Sequence, residues 1–172
     1  MDIQERARKI KLLLLDVDGV LTDGRVSIGS YGDEIKNFSI RDGLGIMLLK
    51  AAKIRCAIIT AKSSKMVKIR ARQLKIDKVY ENHYKIKSLR HILRRFRVKE
   101  DEICFMGDDL VDIPILKRVG FAVAVTDAIE EVKRTAHYVT KKYGGKGAVR
   151  EVCELILKSK GKWESVTRRY FE

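Results

Sequence analysis

Short apolar runs alternate with longer amphipathic stretches along most of this chain. Apolar runs bounded by polar residues predict buried strands, and stretches with apolar residues three and four apart predict helices. The alternation is typical of βαβ units around a parallel sheet, so the sequence predicts an α/β fold with three layers, α/β/α. We predict strands over residues 10–15, 54–60, 78–80, 103–106, 121–125 and 138–140. We predict helices over residues 43–52, 63–74, 86–97, 111–119, 128–136 and 146–159.

Residues 25–40 break this alternation. Two short extended runs flank a turn that contains Gly and Ser, which predicts a small β-hairpin inserted into the fold. Residues 161–172 follow Gly161, which ends the last predicted helix, and we expect a mobile C-terminal tail or a partner-docking arm there. The chain has no internal repeat and no linker rich in Ser, Gly or Pro. We therefore predict a single domain over residues 1–172.

The composition is that of a folded protein, with 45% hydrophobic residues and one Pro in 172 residues. Apolar runs such as residues 12–15 are far shorter than the roughly 20 residues that cross a bilayer. The first ten residues lack the apolar centre of a secretion signal. We therefore expect a cytoplasmic protein with no membrane partner. The three cysteines lie in apolar stretches, which predicts buried, reduced thiols rather than a disulfide or a zinc site.

The chain is strongly basic, with 37 Lys and Arg against 23 Asp and Glu and a formal net charge of +14. Such a charge attracts nucleic acid, anionic lipid or phosphorylated metabolites. The basic residues recur at helix-face and loop positions and form no stripe interleaved with aromatic residues, so a solvated basic surface is favoured. A basic nucleic-acid-binding module is the less favoured alternative, and we predict no nucleic-acid partner.

Acidic residues follow two of the predicted strands. The first strand ends in Asp16-Val17-Asp18-Gly19, and the fourth ends in Gly107-Asp108-Asp109, with Asp112 three residues later. Because ligands bind beyond the carboxyl ends of parallel strands, these carboxylates would meet at one edge of the sheet. They would repel one another unless a hard cation such as Mg²⁺ lay between them, so the sequence predicts a metal site. Taken alone, the first pair also fits an ordinary turn.

Four segments in order resemble the motifs of the haloacid dehalogenase superfamily of phosphohydrolases: LLLLDVDGVLTDG, AIIT, the region of Lys85, and GDDLVD. The resemblance implies a Rossmann-like fold and a nucleophile, Asp16, that takes the phosphoryl group as an aspartyl-phosphate. It also implies Mg²⁺ held by Asp16, Asp108 and the backbone carbonyl of Asp18. The Asp18 carboxyl would protonate the leaving alkoxide and then deprotonate the attacking water. A leaving-group acid at this position favours phosphoryl transfer over dehalogenation.

The remaining motif residues support the same chemistry. By the resemblance, Thr60 offers a hydroxyl and an N–H to the phosphate oxygens, and Lys85 supplies a fixed cation for the transferring group. Lys87 is the alternative motif lysine, but the apolar residues after Lys85 have the spacing expected after that lysine. We expect Asp109 and Asp112 to orient the waters of the metal and Lys85 rather than to bind the metal directly.

The intervals from Asp16 to Thr60 and from Thr60 to Lys85 leave no room for a cap domain. Residues 8–163 resemble a capless subfamily, the 3-deoxy-D-manno-octulosonate 8-phosphate phosphatases, above all in FSIRDGLGI, GDDLVDIPILKRVGFAVAVTDA and GGKGAVREVCELILKSKGKW. This resemblance implies hydrolysis of a sugar-acid phosphate in lipopolysaccharide precursor synthesis. Sialic-acid-type nine-carbon 9-phosphates are the alternative substrates. The resemblance to this subfamily also implies a homotetramer in which the hairpins pack around a central axis and the tail reaches a neighbouring active site.

The subfamily resemblance also implies residues that contact the sugar acid. They are Asp18, Ser39, Ile40, Arg41, Asp42, Gly43, Lys62, Arg70 and Lys85. Asp42 and Gly43 fit equally well as a helix N-cap and its first turn, and Arg70 as a helix-surface cation. The chain departs from the usual Thr-Gly-Arg after the second strand, because it has Thr60-Ala61-Lys62. Lysine keeps the charge but loses the planar fork that grips an anion with two bonds, which leaves substrate affinity or identity open.

Overall fold

Six apolar runs pair as the strands of one parallel sheet, and two further strands form a separate hairpin, in a computed structural model that describes residues 2–172. The strands of the sheet are β1 (Leu12–Leu15), β4 (Arg55–Thr60), β5 (Lys78–Glu81), β6 (Ile103–Gly107), β7 (Phe121–Ala124) and β8 (Tyr138–Val139). The hairpin strands are β2 (Ser27–Ile28) and β3 (Glu34–Ile35). The helices are α1 (Ile3–Lys9), α2 (Ile40–Ala51), α3 (Lys65–Gln73), α4 (Ile86–Phe96), α5 (Ile113–Leu116), α6 (Glu130–Thr135), α7 (Ala148–Ser159) and α8 (Trp163–Thr167).

The strand order is β5-β4-β1-β6-β7-β8, with β1 near the centre. Leu12 of β1 pairs with Arg55 on one side and Ile103 on the other. Every residue of β1 is buried because helices cover both faces of a parallel sheet. The chain runs outward from β1 through β4 to β5 and then crosses back to β6, so the switch point lies between β1 and β6. The six predicted strands and the three-layer α/β/α architecture are confirmed.

The helices form two groups. Helices α1 and α2 each pack on α7, and α5 packs on both α4 and α6. Because right-handed crossovers that lead in opposite directions place their helices on opposite faces, α2 and α4 lie on different faces of the sheet. Residues 111–119 form a single 3₁₀ turn followed by the short α5 rather than one long helix. Helix α1, which no pattern predicted, is short and buries only Ala7.

Helix α2 begins at Ile40, three residues earlier than predicted. The side chain of Ser39 accepts a hydrogen bond from the backbone N–H of Asp42 at 3.3 Å and so forms the N-cap. The carboxylate of Asp42 accepts hydrogen bonds from the backbone N–H groups of Gly147 at 3.3 Å and Arg150 at 2.7 Å. The interpretation of Asp42 as the cap of its own helix is therefore wrong. Asp42 instead caps the start of α7, and it lies 105 residues before Gly147 in the sequence.

The C-terminal segment is folded onto the domain. Residues 163–167 form α8, which contacts α2 and α7, and Trp163 packs against the core. Lys162 Nζ donates a hydrogen bond to the carbonyl of Ala52 at 3.1 Å. Residues 163–167 thus form a packed helix where we expected a mobile tail or a partner-docking arm, and the docking role stays a prediction. Phe171, near the end, remains 83% exposed.

The predicted hairpin of residues 25–40 is confirmed, but its ladder is only two residues long on each side. Its apolar side chains face away from the domain, with Ile28 74% and Tyr31 99% exposed. Residues 2–172 include no element that could serve as a cap domain. None of the helices over these residues has the length and apolarity to span a bilayer. The three cysteines are buried free thiols, as predicted.

Candidate active site

The loops that follow β1, β4 and β6 surround a cleft of about 320 Å³ at the switch point of the sheet. Ligand sites in open α/β sheets lie at this place. Most of the residues predicted to act in catalysis or at the metal line the cleft, as does the predicted substrate contact Lys62. These residues are Asp16, Asp18, Thr60, Lys62, Lys85, Asp108 and Asp109. The structure therefore gathers residues that lie far apart in the sequence into one site.

The loop after β1 is a tight turn that presents Asp16. The backbone N–H of Asp16 donates to the carbonyl of Met106 at 3.1 Å, which ties the end of β1 to β6. The carbonyl of Val17 accepts backbone hydrogen bonds from residues 20–22, which closes the turn. Gly19 has a φ of +86°, and a Cβ at this position would collide with the carboxylate of Asp108. A glycine is therefore needed here, both for the backbone conformation and for the approach of Asp108.

Lys85 lies immediately before α4, and its side chain is buried in the cleft. Its Nζ is 2.6 Å from Oδ1 of Asp16 and 2.6 Å from Oδ1 of Asp112. Burial lowers the pKa of Lys85, but these two carboxylates outweigh burial and hold that pKa above its ordinary value. Lys87 is exposed, with its ammonium over the ring of Tyr84. Of the two candidate lysines, the structure thus places Lys85 in the cleft.

Asp112 connects Lys85 to the loop after β6. While its Oδ1 holds Lys85, its Oδ2 accepts hydrogen bonds from the backbone N–H groups of Asp108 at 3.0 Å and Asp109 at 3.3 Å. Both oxygens are thereby used, so Asp112 is suited to orient Lys85 and the backbone of the loop after β6. Asp109 is exposed, and its Oδ1 accepts a hydrogen bond from the backbone N–H of Leu110 at 2.7 Å.

Three carboxylates crowd the centre of the cleft. One oxygen from each of Asp16, Asp108 and Asp112 lies within 4.8 Å of the others. Burial and the charge of Asp112 raise the pKa of Asp16 to about 6, although Lys85 opposes them. Burial, together with the charges of Asp16 and Asp112, raises the pKa of Asp108 to about 8.

The donor set of this cluster fits a hard divalent cation. Oδ1 of Asp108 is buried, and no hydrogen-bond donor within the described part of the chain reaches it. Carboxylate oxygens that have no hydrogen-bond donor and repel one another are stabilised when Mg²⁺ binds between them. Asp16 and Asp108 are the side chains able to hold the ion, because Asp112 spends both of its oxygens on Lys85 and the backbone.

Asp18 lies at the mouth of the cleft and contacts a residue that the sequence analysis missed. Its Oδ1 accepts a hydrogen bond from Nζ of Lys36 at 2.5 Å. Lys36 follows β3 of the hairpin, and its Nζ is also 2.8 Å from Oε1 of Glu34. Burial lowers the pKa of Lys36, but the hydrogen bonds to Asp18 and Glu34 raise it above the ordinary value. No motif marks this lysine, because its contact depends on how the hairpin folds over the cleft.

Thr60 ends β4 and is buried, with its hydroxyl within hydrogen-bond distance of the backbone of Lys62. Lys62 itself is exposed at the cleft. The segment 39–43 and Arg70 do not line the cleft of the same chain. Arg70 Nη2 donates to the carbonyl of Ser39 at 3.1 Å. The residues implied as substrate contacts thus form two separate groups, and the contacts of Ser39, Ile40, Arg41, Asp42, Gly43 and Arg70 with substrate stay a prediction.

Comparison with known proteins agrees with this geometry. The sequence profile of the haloacid dehalogenase-like hydrolases matches residues 46–152. The 3-deoxy-D-manno-octulosonate 8-phosphate phosphatase of Yersinia pestis is 42% identical over 167 residues, which cover 96% of this chain and 89% of that protein.

Two solved structures share the whole fold. A crystal structure described as a probable YrbI family phosphatase from Pseudomonas syringae has a TM-score of 0.96 and 39% identity, covering 99% of this chain and 97% of the other. The 3-deoxy-D-manno-octulosonate 8-phosphate phosphatase of Moraxella catarrhalis, in complex with magnesium, phosphate and KDO, has a TM-score of 0.95 and 38% identity. That match covers 98% of this chain and 97% of the other. The resemblance drawn from the four motifs is confirmed, and the chain belongs to the haloacid dehalogenase-like hydrolases.

Proposed function

We propose that this protein is a Mg²⁺-dependent phosphatase that hydrolyses 3-deoxy-D-manno-octulosonate 8-phosphate to the free sugar acid and phosphate, in lipopolysaccharide precursor synthesis. The observation that carries the proposal is the position of Asp16, which is buried against Lys85 and crowded by Asp108, with Asp18 two residues further on. The names of the relatives and the ligands in the Moraxella catarrhalis structure support the choice of substrate and ion.

In the first step, the Asp16 carboxylate attacks phosphorus. A bond forms between an Asp16 oxygen and phosphorus as the bond from phosphorus to the C8 oxygen of the sugar breaks. Asp18 donates its carboxyl proton to the departing oxygen, so that a neutral alcohol leaves. The ammonium of Lys85 lies 2.6 Å from Asp16 and stabilises negative charge on the transferring group. Thr60 lines the same cleft, and in this proposal its hydroxyl and N–H donate to phosphate oxygens.

In the second step, water hydrolyses the aspartyl-phosphate. The carboxylate form of Asp18 takes a proton from the attacking water, and Asp16 leaves as a carboxylate. Lys85 favours this departure because it pairs with the regenerated charge. Asp16, Asp108 and the carbonyl of Asp18 would hold Mg²⁺, which would supply positive charge to offset the repulsion between the nucleophile and the phosphoryl group.

The open cleft supports an oligomeric enzyme. Residues 2–172 contain no cap domain, so a further protein surface is needed to cover the cleft, exclude water and select a substrate. The exposed apolar side chains of the hairpin, Val26, Ile28, Tyr31 and Ile35, supply a surface that a second copy of the chain would bury. We propose a homotetramer packed through these hairpins. Sedimentation velocity tests it: the wild type is expected as a tetramer and Ile28→Asp as smaller species, whereas a monomeric wild type would exclude the proposal.

A phosphate-release assay tests the proposed function. The purified protein is given 3-deoxy-D-manno-octulosonate 8-phosphate and nine-carbon sugar-acid 9-phosphates, with Mg²⁺ and with EDTA. We expect turnover that requires Mg²⁺ and a kcat/KM that is highest on the eight-carbon ester. Equal turnover on both esters would contradict the substrate assignment, and turnover in EDTA would contradict the metal requirement.

A further inference from the structure

A buried ammonium group approaches the active site from the hairpin. The side chain of Lys36 is only 2% exposed, and its Nζ lies between Oδ1 of Asp18 at 2.5 Å and Oε1 of Glu34 at 2.8 Å. Burying an ammonium is costly unless it is fully paired, so both carboxylates are needed to hold Lys36 in this place. Lys36 directly follows the two-residue ladder of an exposed hairpin, where a lysine side chain ordinarily extends into solvent, so its burial against Asp18 is a specific feature of this fold.

Asp18 has little else to fix its orientation. Its side chain is 37% exposed, and Lys36 is the only hydrogen-bond partner of its carboxylate found within residues 2–172. An exposed Asp side chain rotates among several rotamers, and only some of them aim the carboxyl group at a leaving oxygen. The hydrogen bond from Lys36 occupies Oδ1 and leaves Oδ2 as the oxygen able to carry the transferable proton.

We propose that Lys36 is a positioning residue that holds the carboxyl group of Asp18 for proton transfer to the leaving oxygen. This inference rests on the proposed role of Asp18. In the reaction, the proton on Oδ2 of Asp18 moves to the sugar oxygen as its bond to phosphorus breaks, and Lys36 keeps its own protons throughout. Glu34 holds Lys36 from the other side, so the hairpin contributes to the chemistry through this pair.

Leaving-group dependence distinguishes this role from a structural one. Lys36→Met is compared with the wild type by kcat/KM on two esters, 3-deoxy-D-manno-octulosonate 8-phosphate and p-nitrophenyl phosphate. The alkoxide of the sugar needs a proton to depart, whereas p-nitrophenolate departs as a stable anion. Because kcat/KM reports steps only up to leaving-group departure, a misplaced Asp18 lowers it for the sugar ester by roughly 10- to 100-fold. We expect a loss of less than about threefold for p-nitrophenyl phosphate, since no proton transfer is needed there.

Three controls accompany this comparison. Arg25→Met removes an exposed cation from the start of the hairpin segment and should leave both values unchanged. Lys36→Arg restores a charged donor and should recover part of the loss on the sugar ester. The rise in Tm on addition of Mg²⁺ should be the same for Lys36→Met and the wild type, because Lys36 reaches only the side chain of Asp18 and Glu34. If Lys36→Met does not fold, Lys36→Gln replaces it.

The outcomes separate this inference from the proposed function. A selective loss on the sugar ester, rescued by Lys36→Arg, supports the positioning role. Equal losses on both esters, or no loss on either, overturn it even when the wild type is an active phosphatase. A wild type that releases phosphate from neither ester overturns the proposed function itself.

Discussion

Replacing Asp108 by its neutral isostere should stabilise the Mg²⁺-free protein. Burial and the neighbouring carboxylates raise the pKa of Asp108 to about 8, from an ordinary value of about 3.9. At roughly 1.4 kcal/mol per pKa unit, the ionised carboxylate costs the folded state up to about 6 kcal/mol. Because neighbouring groups relax around the charge, we expect Asp108→Asn to recover about 2 kcal/mol at pH 8, or about 4–8 °C in Tm.

The sign of the pH dependence follows from the raised pKa. A carboxyl whose pKa is higher in the folded than in the unfolded state makes the folded state less stable as pH rises between the two values. The wild type should therefore lose stability from about pH 4 to about pH 8 relative to Asp108→Asn, and the gain in the variant should shrink toward pH 4. Thermal unfolding in EDTA at pH 5 and pH 8 measures this difference.

A matched control and a metal titration complete the test. Asp109→Asn changes the adjacent, exposed residue, and asparagine caps the N–H of Leu110 as well as aspartate does, so the Mg²⁺-free Tm should not move. Addition of Mg²⁺ should raise the Tm of the wild type and leave that of Asp108→Asn unchanged, which reverses their order. If Asp108→Asn lowers the Mg²⁺-free Tm, or behaves as Asp109→Asn does, the explanation by crowded carboxylates is refuted.

Three further predictions concern the same cleft. Asp16→Asn should abolish phosphate release while the fold, followed by circular dichroism, is retained; turnover above a few per cent of wild type would contradict its role as nucleophile. Lys85→Met leaves two buried carboxylates without their cationic partner, so it should lower the free energy of unfolding, measured in urea, by ~3–5 kcal/mol. The control Lys87→Met removes an exposed lysine and should leave this free energy almost unchanged. The affinity for Mg²⁺, measured by calorimetry, should rise from about pH 6 to about pH 8, because binding displaces protons from carboxyls with raised pKa; a pH-independent affinity would argue against this coupling.

Much of the active site could be predicted because the topology is simple. In a parallel sheet, the residues after neighbouring strands must share one edge, so Asp16, Thr60 and Asp108 converge once the strands are recognised. The choice of Lys85 over Lys87 followed from the apolar spacing after Lys85, which resembles that after the motif lysine and which forms the buried face of α4. Local rules of this kind need no knowledge of distant contacts.

Other features depended on contacts that no local pattern encodes. Asp42 has the sequence context of an N-cap, yet its carboxylate caps α7 because α2 and α7 pack together. The C-terminal segment follows a helix-ending glycine, and the partly buried Trp163 nevertheless packs against the core at the start of α8. In each case the free energy of tertiary packing outweighs the local preference.

The sequence by itself determined the buried strands and the acidic residues at their ends, since apolar periodicity and strand ends are written residue by residue. The role of Asp16 as nucleophile was implied only by the resemblance of its motif to a known family. Only the tertiary structure decided that Lys36 reaches Asp18, that Asp112 serves both Lys85 and the backbone of the next loop, and that one oxygen of Asp108 is left without a donor. The physical reason is that these facts concern pairs of groups distant in sequence. Their energies depend on burial and on separations of a few ångströms, which exist only once the helices and the hairpin have packed around the sheet.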